Sequence, residues 1–392
     1  MWTVTQPSEE LLREEGAREM SMERQVRGFE GDSLLVGQLP EGCRRCAQGS
    51  KMVLFVTGHC NSKCFYCPLS EEKAKKDIVF ADEMPVKSDA DILFEVNAIE
   101  ADGAGISGGD PLCRLERTLK YIRLLKTQYG DDFHIHLYTS QANAPKEVLM
   151  KLMEAGLDEI RFHPQSKDWS GIETAVEMGM EVGIEIPVFP NQGEYIKEVA
   201  TRAEKIGVSF LNINELESSE TNFESLVRKG FRLRDTGTAA IEGSAELASE
   251  ILEWSVGSLR KLSVHYCSAR FKDAVQMRNR LERRLESTIR EFEDRDELEP
   301  LLILGVIRAP HGKRLSSKQL EEIGAVLTDD FDVPENLMNL DFARMRIETA
   351  GWILDEIVEE LREALDHGDE LEIGLVFEYP SWDRLQILFD PL

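Results

Sequence analysis

The feature that most constrains the fold of this chain is a regular alternation of short apolar strands and amphipathic helices over residues 50–215. The first strand, residues 52–57, is a continuous apolar run, as expected of a strand buried on both faces. Short connections between alternating strands and helices favour parallel strands joined by crossover helices. The pattern therefore predicts an α/β fold built on a parallel sheet.

The alternation contains six predicted strands. They are expected at residues 52–57, 104–107, 134–139, 159–163, 184–189 and 208–213. A full eight-stranded barrel needs roughly 250 residues, so a partial (β/α)6 barrel fits the length better, with an open doubly wound sheet as the alternative. In either fold, functional residues are expected at the carboxyl ends of the strands.

The rest of the chain divides into three further regions. Residues 1–49 form an N-terminal arm, with a charged helix predicted over residues 8–20 and a glycine-containing turn over residues 28–37. Residues 216–297 are predicted to be a mostly helical extension, and residues 298–392 a small α+β domain of alternating strands and helices. We therefore expect a barrel core at residues 50–215 with additions on both sides.

Charge and hydropathy exclude several classes of protein. Lys and Arg total 46 against 73 Asp and Glu, giving a formal charge of −27, which disfavours general coating of a nucleic acid. No apolar run approaches the roughly 18 residues that indicate a membrane span. The charged first forty residues lack the pattern of a secretory signal, so the cytoplasm is the expected location.

The seven cysteines are grouped in a way that indicates metal binding. Cys60, Cys64 and Cys67 form a CxxxCxxC motif directly after the first predicted strand, and Cys43 and Cys46 form a CxxC motif. An odd number of cysteines in a long cytosolic chain argues against a disulfide framework. We therefore interpret both groups as candidate metal ligands.

The triplet suits an iron-sulfur cluster, because three closely spaced soft thiolates can hold a compact cluster. With three protein ligands, a four-iron cubane keeps one iron open for a substrate. Two alternatives remain at this point. One is a zinc site that recruits His59 as its fourth ligand, and the other is a chance grouping of buried thiols.

The sequence around the triplet narrows these alternatives. Residues 57–68, Thr-Gly-His-Cys-Asn-Ser-Lys-Cys-Phe-Tyr-Cys-Pro, resemble the signature of the radical S-adenosylmethionine (SAM) superfamily, including the aromatic Tyr66 before the third cysteine. The resemblance covers about residues 50–215, and the chain is also similar to archaeal members related to pyruvate formate-lyase activating enzymes. It implies a 4Fe-4S cluster on the three cysteines, with SAM chelated at the open iron and cleaved reductively to a 5′-deoxyadenosyl radical. It also implies a reductant such as ferredoxin or flavodoxin.

Residues 107–111, Ser-Gly-Gly-Asp-Pro, resemble the segment through which the superfamily contacts the methionine amino group of SAM. Asp110 stands where the superfamily has glutamate and is one methylene shorter, so a backbone contact is the firmer expectation. Further strand-end residues occupy positions that line the cofactor in the superfamily, although polar strand ends are also ordinary caps. The resemblance thus implies the cofactor-binding set Tyr66, Gly108, Gly109, Asp110, Thr139, Ser140, Ile186, Asn212 and Asn214.

Two histidines are weaker candidates for catalysis. Strand alternation directs His136 and His163 into or beside the same mouth of the barrel. A histidine in such a place is also commonly a hydrogen-bonded structural residue. We therefore predict a position for these side chains and leave the catalytic role open.

The CxxC pair has no local partner to complete a metal site. Cys267 is the expected third ligand, and His265, Cys113 or a substrate atom is a candidate for the fourth. An auxiliary iron-sulfur cluster and a zinc ion are both consistent with Cys43, Cys46 and Cys267. Cys113 is otherwise predicted to be a small core residue.

The substrate is not specified by these motifs. The basic segment 270–284 is interpreted as a solvated helix face or as an anchor for an anionic substrate. Hydrogen abstraction from a protein residue, as in glycyl-radical activation, is one expected activity, and modification of RNA or a small metabolite is another. The competing hypothesis is a non-enzymatic iron-sulfur or zinc protein that carries electrons or binds a partner.

Overall fold

The computed structural model describes residues 24–234, 238–365 and 368–392, so the helix predicted over residues 8–20 lies outside the described residues. Two sheets are present in these ranges, and the larger has eleven strands there. In chain order these strands are β1 (Arg27–Phe29), β2 (Ser33–Val36), β3 (Lys51–Phe55), β4 (Phe80–Ala81), β5 (Met84–Pro85), β6 (Gly103–Ser107), β7 (His134–Thr139), β8 (Glu159–Phe162), β9 (Glu181–Val188), β10 (Phe210–Glu215) and β11 (Ser263–Cys267).

Seven of the described strands run parallel as neighbours. The sheet order is β1-β2-β11-β10-β9-β8-β7-β6-β3-β4-β5, and each pair from β11 to β3 is parallel. Antiparallel strands β2 and β4 flank the two ends of this series, so the sheet does not close on itself. The predicted α/β partial-barrel fold is therefore confirmed.

The structure corrects the sequence-based prediction at two places in this sheet. Strand β11 is a seventh parallel strand in a region predicted to be mostly helical, and it pairs with β10. Residues 28–37, predicted as a turn with little to bury, include the hairpin β1–β2, which extends the sheet next to β11 and buries Leu35 and Val36. Both elements are too short and too polar to give a clear strand pattern.

The helices of the barrel cover one face of the parallel strands. Ser88 and Asp91 form the predicted capping box of the helix Asp89–Ala98, and Gly156 ends the helix Lys146–Ala155 in the left-handed conformation with a φ of 100°. The longer helices of the described ranges, inside and outside the barrel, are α1 (Glu41–Ala47), α2 (Asp89–Ala98), α3 (Leu115–Tyr129), α4 (Lys146–Ala155), α5 (Ser170–Glu177), α6 (Gly193–Ile206), α7 (Phe223–Arg228), α8 (Ser244–Ser258), α9 (Arg278–Thr288), α10 (Ser317–Asp329) and α11 (Gly351–Ala364).

Alternate residues of the barrel strands face opposite environments. One set, including Leu54 and Ile106, is fully buried in the apolar core shared with the outer helices. The other set is polar, and it faces α1, which contacts β3, β6 and β7. The backbone N–H of Gly42 in α1 donates a hydrogen bond to the Glu159 carboxylate of β8 at 3.4 Å. The arm that carries the CxxC motif therefore fills part of the barrel interior.

Several side chains of the basic segment 270–284 contact the protein itself, whereas Arg270 and Arg278 are 66% and 39% exposed, as expected of a partly solvated helix face. A one-turn helix (Ala269–Phe271) and a π-helical turn (Lys272–Met277) lead into α9. From α9, Arg280 pairs with Asp82 at 2.5 Å and Arg284 pairs with Glu95 of α2 at 2.5 Å. Arg280 and Arg284 fasten the helical extension to the barrel, so these two side chains are neither part of a solvated face nor free to bind an anion.

The Arg284–Glu95 pair provides a stability prediction. Both side chains are less than 10% exposed, and burial raises the pKa of Glu95 to about 7. Arg284→Met should lower the free energy of unfolding by about 3 kcal/mol, because it leaves Glu95 buried without its cation. Arg278→Met is the control, since Arg278 is 39% exposed and its loss should cost less than about 1 kcal/mol. Urea unfolding measures both, and equal losses would contradict the prediction.

The C-terminal region has its own sheet and core. Its strands are β12 (Asp294–Arg295), β13 (Leu302–Arg308), β14 (Met338–Asp341), β15 (Arg346–Thr349), β16 (Glu372–Glu378) and β17 (Gln386–Pro391). They are antiparallel and follow the order β14-β15-β13-β16-β17, with β12 paired to β13. Helices α10 and α11 supply apolar side chains to this core, including Leu320 and Leu354.

Candidate active site

The loop that carries the cysteine triplet begins directly after β3, and backbone hydrogen bonds join its two ends. The N–H of Gly58 donates to the carbonyl of Lys76 at 2.8 Å, and the N–H of Lys75 donates to the carbonyl of Gly58 at 2.9 Å. A Cβ atom at Gly58 would overlap the carbonyl oxygen of Lys73. Glycine is therefore required where the two ends of the loop meet.

The three cysteines lie together on this loop at the carboxyl end of the barrel. Cys60 and Cys67 are exposed and Cys64 is half-buried. Burial raises the pKa of the Cys64 thiol, and the nearby Cys67 and Cys60 raise it further. The three sulfur atoms are thus electrostatic neighbours, as ligands of one cluster have to be.

The donor set fits an iron-sulfur cluster. Across the residues that the structure describes, no three His, Cys, Asp or Glu side chains converge on a position for a single metal ion. A cubane differs from a single ion because each of its thiolates binds a separate iron atom. Three soft thiolates without a hard ligand among them match that requirement. Cys60, Cys64 and Cys67 would hold the cluster.

The Gly-Gly turn after β6 is hydrogen-bonded to the cysteine loop. The N–H of Gly109 donates to the carbonyl of Thr57 at 2.7 Å, and the N–H of Asp110 donates to the carbonyl of His59 at 2.8 Å. A Cβ atom at Gly108 would lie 2.5 Å from the Thr57 carbonyl oxygen, and one at Gly109 would lie 2.5 Å from that of His59. Both glycines therefore allow the backbone of the turn to contact the cysteine loop.

The Asp110 side chain forms hydrogen bonds with other residues of the protein. Its side chain is fully buried, and its carboxylate accepts hydrogen bonds from the Thr139 hydroxyl at 3.0 Å and the Ser140 hydroxyl at 2.7 Å. It also accepts from the backbone N–H groups of Ser140 and Leu112. Ser140 in turn accepts a hydrogen bond from the Ser62 hydroxyl of the cysteine loop at 2.9 Å. Asp110 thus positions Thr139 and Ser140 next to the cysteine loop.

A chain of hydrogen bonds runs from Cys64 to β9. The Cys64 thiol donates to the Gln165 amide oxygen at 3.4 Å, and the Gln165 amide nitrogen donates to the Tyr66 hydroxyl at 3.2 Å. His163 Nδ1 lies 2.6 Å from the carbonyl oxygen of Glu185 and must carry the proton, because a carbonyl only accepts. His163 Nε2 then accepts from the Tyr66 hydroxyl at 2.7 Å. Burial lowers the pKa of His163, which favours this neutral form.

A cavity of about 440 Å³ opens under the cysteine loop into the barrel. Four of the predicted site residues line it, namely Tyr66, His163, Ile186 and Asn214. Its deeper walls carry Lys51, Tyr138, Arg161 and Glu185, which were not singled out from the sequence. The available signal was the recurrence of polar residues at every second position of otherwise apolar strands.

Two predicted residues lie deeper than expected. His136 is fully buried beside α1, its Nε2 is 3.2 Å from the Tyr138 hydroxyl, and a Cβ atom at Gly42 would lie 2.6 Å from its Nδ1. Its expected position at the mouth is therefore wrong, and burial with the nearby Arg161 lowers its pKa well below the usual value. Asn212 is also buried, where it donates to the Glu185 carboxylate and to the Cys43 sulfur, each at 3.3 Å.

The second cysteine group lies in the barrel interior. Cys43 and Cys46 of α1 are 6% and 9% exposed, and Cys267 ends β11. Burial raises the pKa of Cys267, and both Cys46 and Cys43 contribute to the increase, so the three thiols are near one another. His265 Nδ1 donates a hydrogen bond to the Asn212 amide oxygen at 3.2 Å. Cys113 is half-buried, not a core residue as predicted.

Comparisons with known proteins decide the family. Residues 54–168 match the Radical SAM superfamily, and residues 301–392 match a domain of unknown function (DUF8061). A protein of Methanocaldococcus jannaschii named "Putative glycyl-radical enzyme activating enzyme" is 36% identical over 337 residues, covering 83% of this chain and 85% of the relative. The chain belongs to the radical SAM superfamily.

Other radical SAM proteins match over shorter stretches. A "Probable GTP 3′,8-cyclase" of Methanococcus maripaludis is 29% identical over 35% of this chain and 46% of the relative. The structure of Streptococcus suis SuiB bound to S-adenosylmethionine aligns at 14% identity and a TM-score of 0.40, covering 56% of this chain and half of that one.

Membership of the radical SAM superfamily sets aside the non-enzymatic interpretation and implies a 4Fe-4S cluster and SAM as cofactors. None of the described helices combines the length and the apolar character needed to cross a membrane.

Proposed function

We propose that this radical SAM enzyme holds a 4Fe-4S cluster on Cys60, Cys64 and Cys67 and uses SAM to abstract a hydrogen atom from a substrate in the barrel cavity. When bound, the cluster supplies the electron that cleaves SAM to methionine and the 5′-deoxyadenosyl radical. The observation that carries the proposal is the position of the cysteine loop, which is hydrogen-bonded to the Gly-Gly turn over the open end of the cavity.

In this proposal, the residues around the cysteine loop bind and orient the cofactor. Ser140 is fixed by Asp110 within reach of Cys60, the hydroxyl oxygen and the sulfur being 4.0 Å apart. Tyr66 is held by His163 and by contacts with the Phe65 and Phe189 rings, which exclude water from that side. Gly108, Gly109, Thr139, Ile186 and Asn214 complete the proposed cofactor site, with Asn212 beneath it.

Anaerobic reconstitution with iron and sulfide, followed by an assay for 5′-deoxyadenosine, tests the proposal. The wild-type protein should produce 5′-deoxyadenosine from SAM when a chemical reductant is added. Absence of the product from a protein that has bound four irons would contradict the proposed function. A ferredoxin or flavodoxin as the natural reductant, and a cytoplasmic location, stay predictions from the sequence.

Two substrate classes follow from the relatives. The name of the M. jannaschii protein favours a glycyl residue of a partner protein, and that of the M. maripaludis protein favours a small molecule. Both classes require the reacting carbon to approach the cysteine loop from the cavity side.

We also propose an auxiliary metal held by Cys43, Cys46 and Cys267, which share the barrel interior. With two cubanes, the wild-type protein should bind about eight irons and a Cys43→Ala/Cys46→Ala variant about four. A single zinc ion is not proposed here, because no three His, Cys, Asp or Glu side chains of the described residues converge on a position for one metal ion. Cys267→Ala should match the double variant in metal content and melt at a lower temperature. Identical metal content in all three proteins would contradict a second site.

A further inference from the structure

One carboxylate joins the two ends of the cysteine loop to the segment that follows the Gly-Gly turn. Asp77 lies directly after Lys76, where the loop closes, and it accepts a hydrogen bond at 3.0 Å from the hydroxyl of Thr57, where the loop begins. The guanidinium groups of Arg114 and Arg117 bind the same carboxylate at 3.0 Å and 2.6 Å. Asp77 therefore contacts three separate parts of the chain around the proposed cluster site.

The arginines keep this carboxylate ionised. The hydrogen bond from Arg117 holds the pKa of Asp77 well below its usual range. Arg117 also donates to the carbonyl of Val56 at 3.0 Å, so its guanidinium group is fixed by two partners. An ionised carboxylate can only accept hydrogen bonds. The bond between Asp77 and Thr57 therefore has one direction, with the Thr57 hydroxyl as the donor.

The direction of this bond decides what the Thr57 oxygen does on its other side. A hydroxyl group has one proton, and its oxygen keeps lone pairs that can accept. With the proton directed at Asp77, the Thr57 oxygen accepts from the backbone N–H of His59 at 3.3 Å. Thr57 is fully buried, which keeps solvent away from its hydroxyl group. Asp77 thus acts through Thr57 on the amide of His59, the residue before Cys60.

The same two residues also form the backbone contact with the Gly-Gly turn. The carbonyl of Thr57 accepts from the N–H of Gly109, and the carbonyl of His59 accepts from the N–H of Asp110. A change at the Thr57 hydroxyl would therefore disturb the backbone that carries Cys60 and its bonds to the turn together.

We propose that Asp77 is a positioning residue for the radical SAM reaction, which orients the Thr57 hydroxyl so that the backbone of His59, and with it Cys60, is held where the cluster binds. The inference rests on the proposed function for the cluster and adds a residue that acts on it from a distance. Because Asp77 reaches the backbone before Cys60 through the Thr57 hydroxyl, removing either group should have an effect in the same direction.

Hydrogen–deuterium exchange of the metal-free protein, followed by mass spectrometry, tests the first step. In Thr57→Val the amide of His59 loses its acceptor, so a peptide that reports this amide should exchange it at least about tenfold faster than in the wild type. In Asp77→Asn the hydroxyl is no longer held in one direction, because an amide can donate as well as accept. Its exchange should be faster than that of the wild type and slower than that of Thr57→Val.

Bound iron tests the second step. After anaerobic reconstitution, a ferrous chelator should remove iron at least about tenfold faster from Thr57→Val than from the wild type, with Asp77→Asn between them. The electron paramagnetic resonance signal of the reduced cluster should be broader in both variants, because Cys60 is no longer held in one position. Thr57→Ser keeps the hydroxyl and should match the wild type. A space-filling role of Thr57 predicts the opposite order, because valine keeps the shape of threonine and serine does not.

Asp89→Asn is the matched control. Asp89 is also a partly exposed carboxylate paired with a cation, Lys120 at 2.6 Å, so its variant should match the wild type in exchange at His59 and in iron release. Melting temperature checks the folding of each variant, and if Asp77→Asn does not fold, the comparison of Thr57→Val with Thr57→Ser decides.

Equal exchange or equal iron release in the wild type and Thr57→Val would overturn the proposal, as would a serine variant that exchanges as fast as the valine variant. The exchange measurement needs no metal. Its outcome is therefore separate from 5′-deoxyadenosine production by the wild type, which alone decides the proposed function.

Discussion

Replacing any one of Cys60, Cys64 and Cys67 with alanine is expected to abolish reductive cleavage of SAM and leave the protein folded. Two thiolates cannot hold a cluster that needs three protein ligands and one open iron. The exposed or half-buried position of these residues means that the loss of each sulfur costs little stability. The measurements are 5′-deoxyadenosine formation and bound iron after anaerobic reconstitution, with circular dichroism as the check on folding.

Cys113→Ala is the matched control for these variants. Cys113 is half-buried and follows the Gly-Gly turn, near enough to Cys60 for the two thiols to influence each other. It has no place in the predicted ligand set of the triplet, so its variant should retain iron and activity. Full 5′-deoxyadenosine production by any of the three triplet variants would show that the cluster is bound elsewhere.

The fold could be predicted where local pattern and packing agree. Strand β3 is an apolar run buried on both faces, and the capping box at Ser88 marks the start of α2. The barrel consists of such regular strand-helix units, so its fold class could be predicted from the sequence. Strand β11 did not, because its alternating polar residues, such as Ser263 and His265, are stabilised by the polar barrel interior, which exists only after folding.

The cysteine triplet could be predicted because its ligands are adjacent in the chain. The polar network under it could not, because it joins residues from different strands and from α1. The Arg161 guanidinium lies between Glu159 and Glu185, and Asn212 links Glu185 to Cys43. No local spacing relates these positions, so they become a group only when the parallel strands are in register.

The contacts of the basic segment 270–284 could not be predicted from the sequence either. A run of arginines in a chain of charge −27 suggests a solvated helix face or an anion-binding surface when only the sequence is considered. In the structure, Arg283 donates to the carbonyl groups of Ile99 and Glu100, and Arg284 pairs with Glu95. These partners lie about 180 residues earlier in the chain, and their role is to hold the helical extension against α2.

The contact between the Gly-Gly turn and the cysteine loop gives a second prediction with a large effect. Gly109→Val should reduce bound iron as well as binding of SAM, and 5′-deoxyadenosine formation should fall at least about tenfold. The physical reason is the position of the new side chain. Its Cβ atom would lie 2.5 Å from the His59 carbonyl oxygen and 2.7 Å from that of Gly58, so the backbone just before Cys60 must move.

The valine variant distinguishes two roles that Gly109 can have. If Gly109 only leaves space for the methionine amino group, the valine variant keeps its iron and loses affinity for SAM. If it allows the turn to bond with the loop, through its N–H and the Thr57 carbonyl, iron is lost together with the cofactor. Gly28→Ala is the control, since a Cβ atom there meets nothing within 4 Å. Iron content after reconstitution decides between the two roles. A valine variant with a full complement of iron would contradict the role of Gly109 in joining the turn to the cysteine loop.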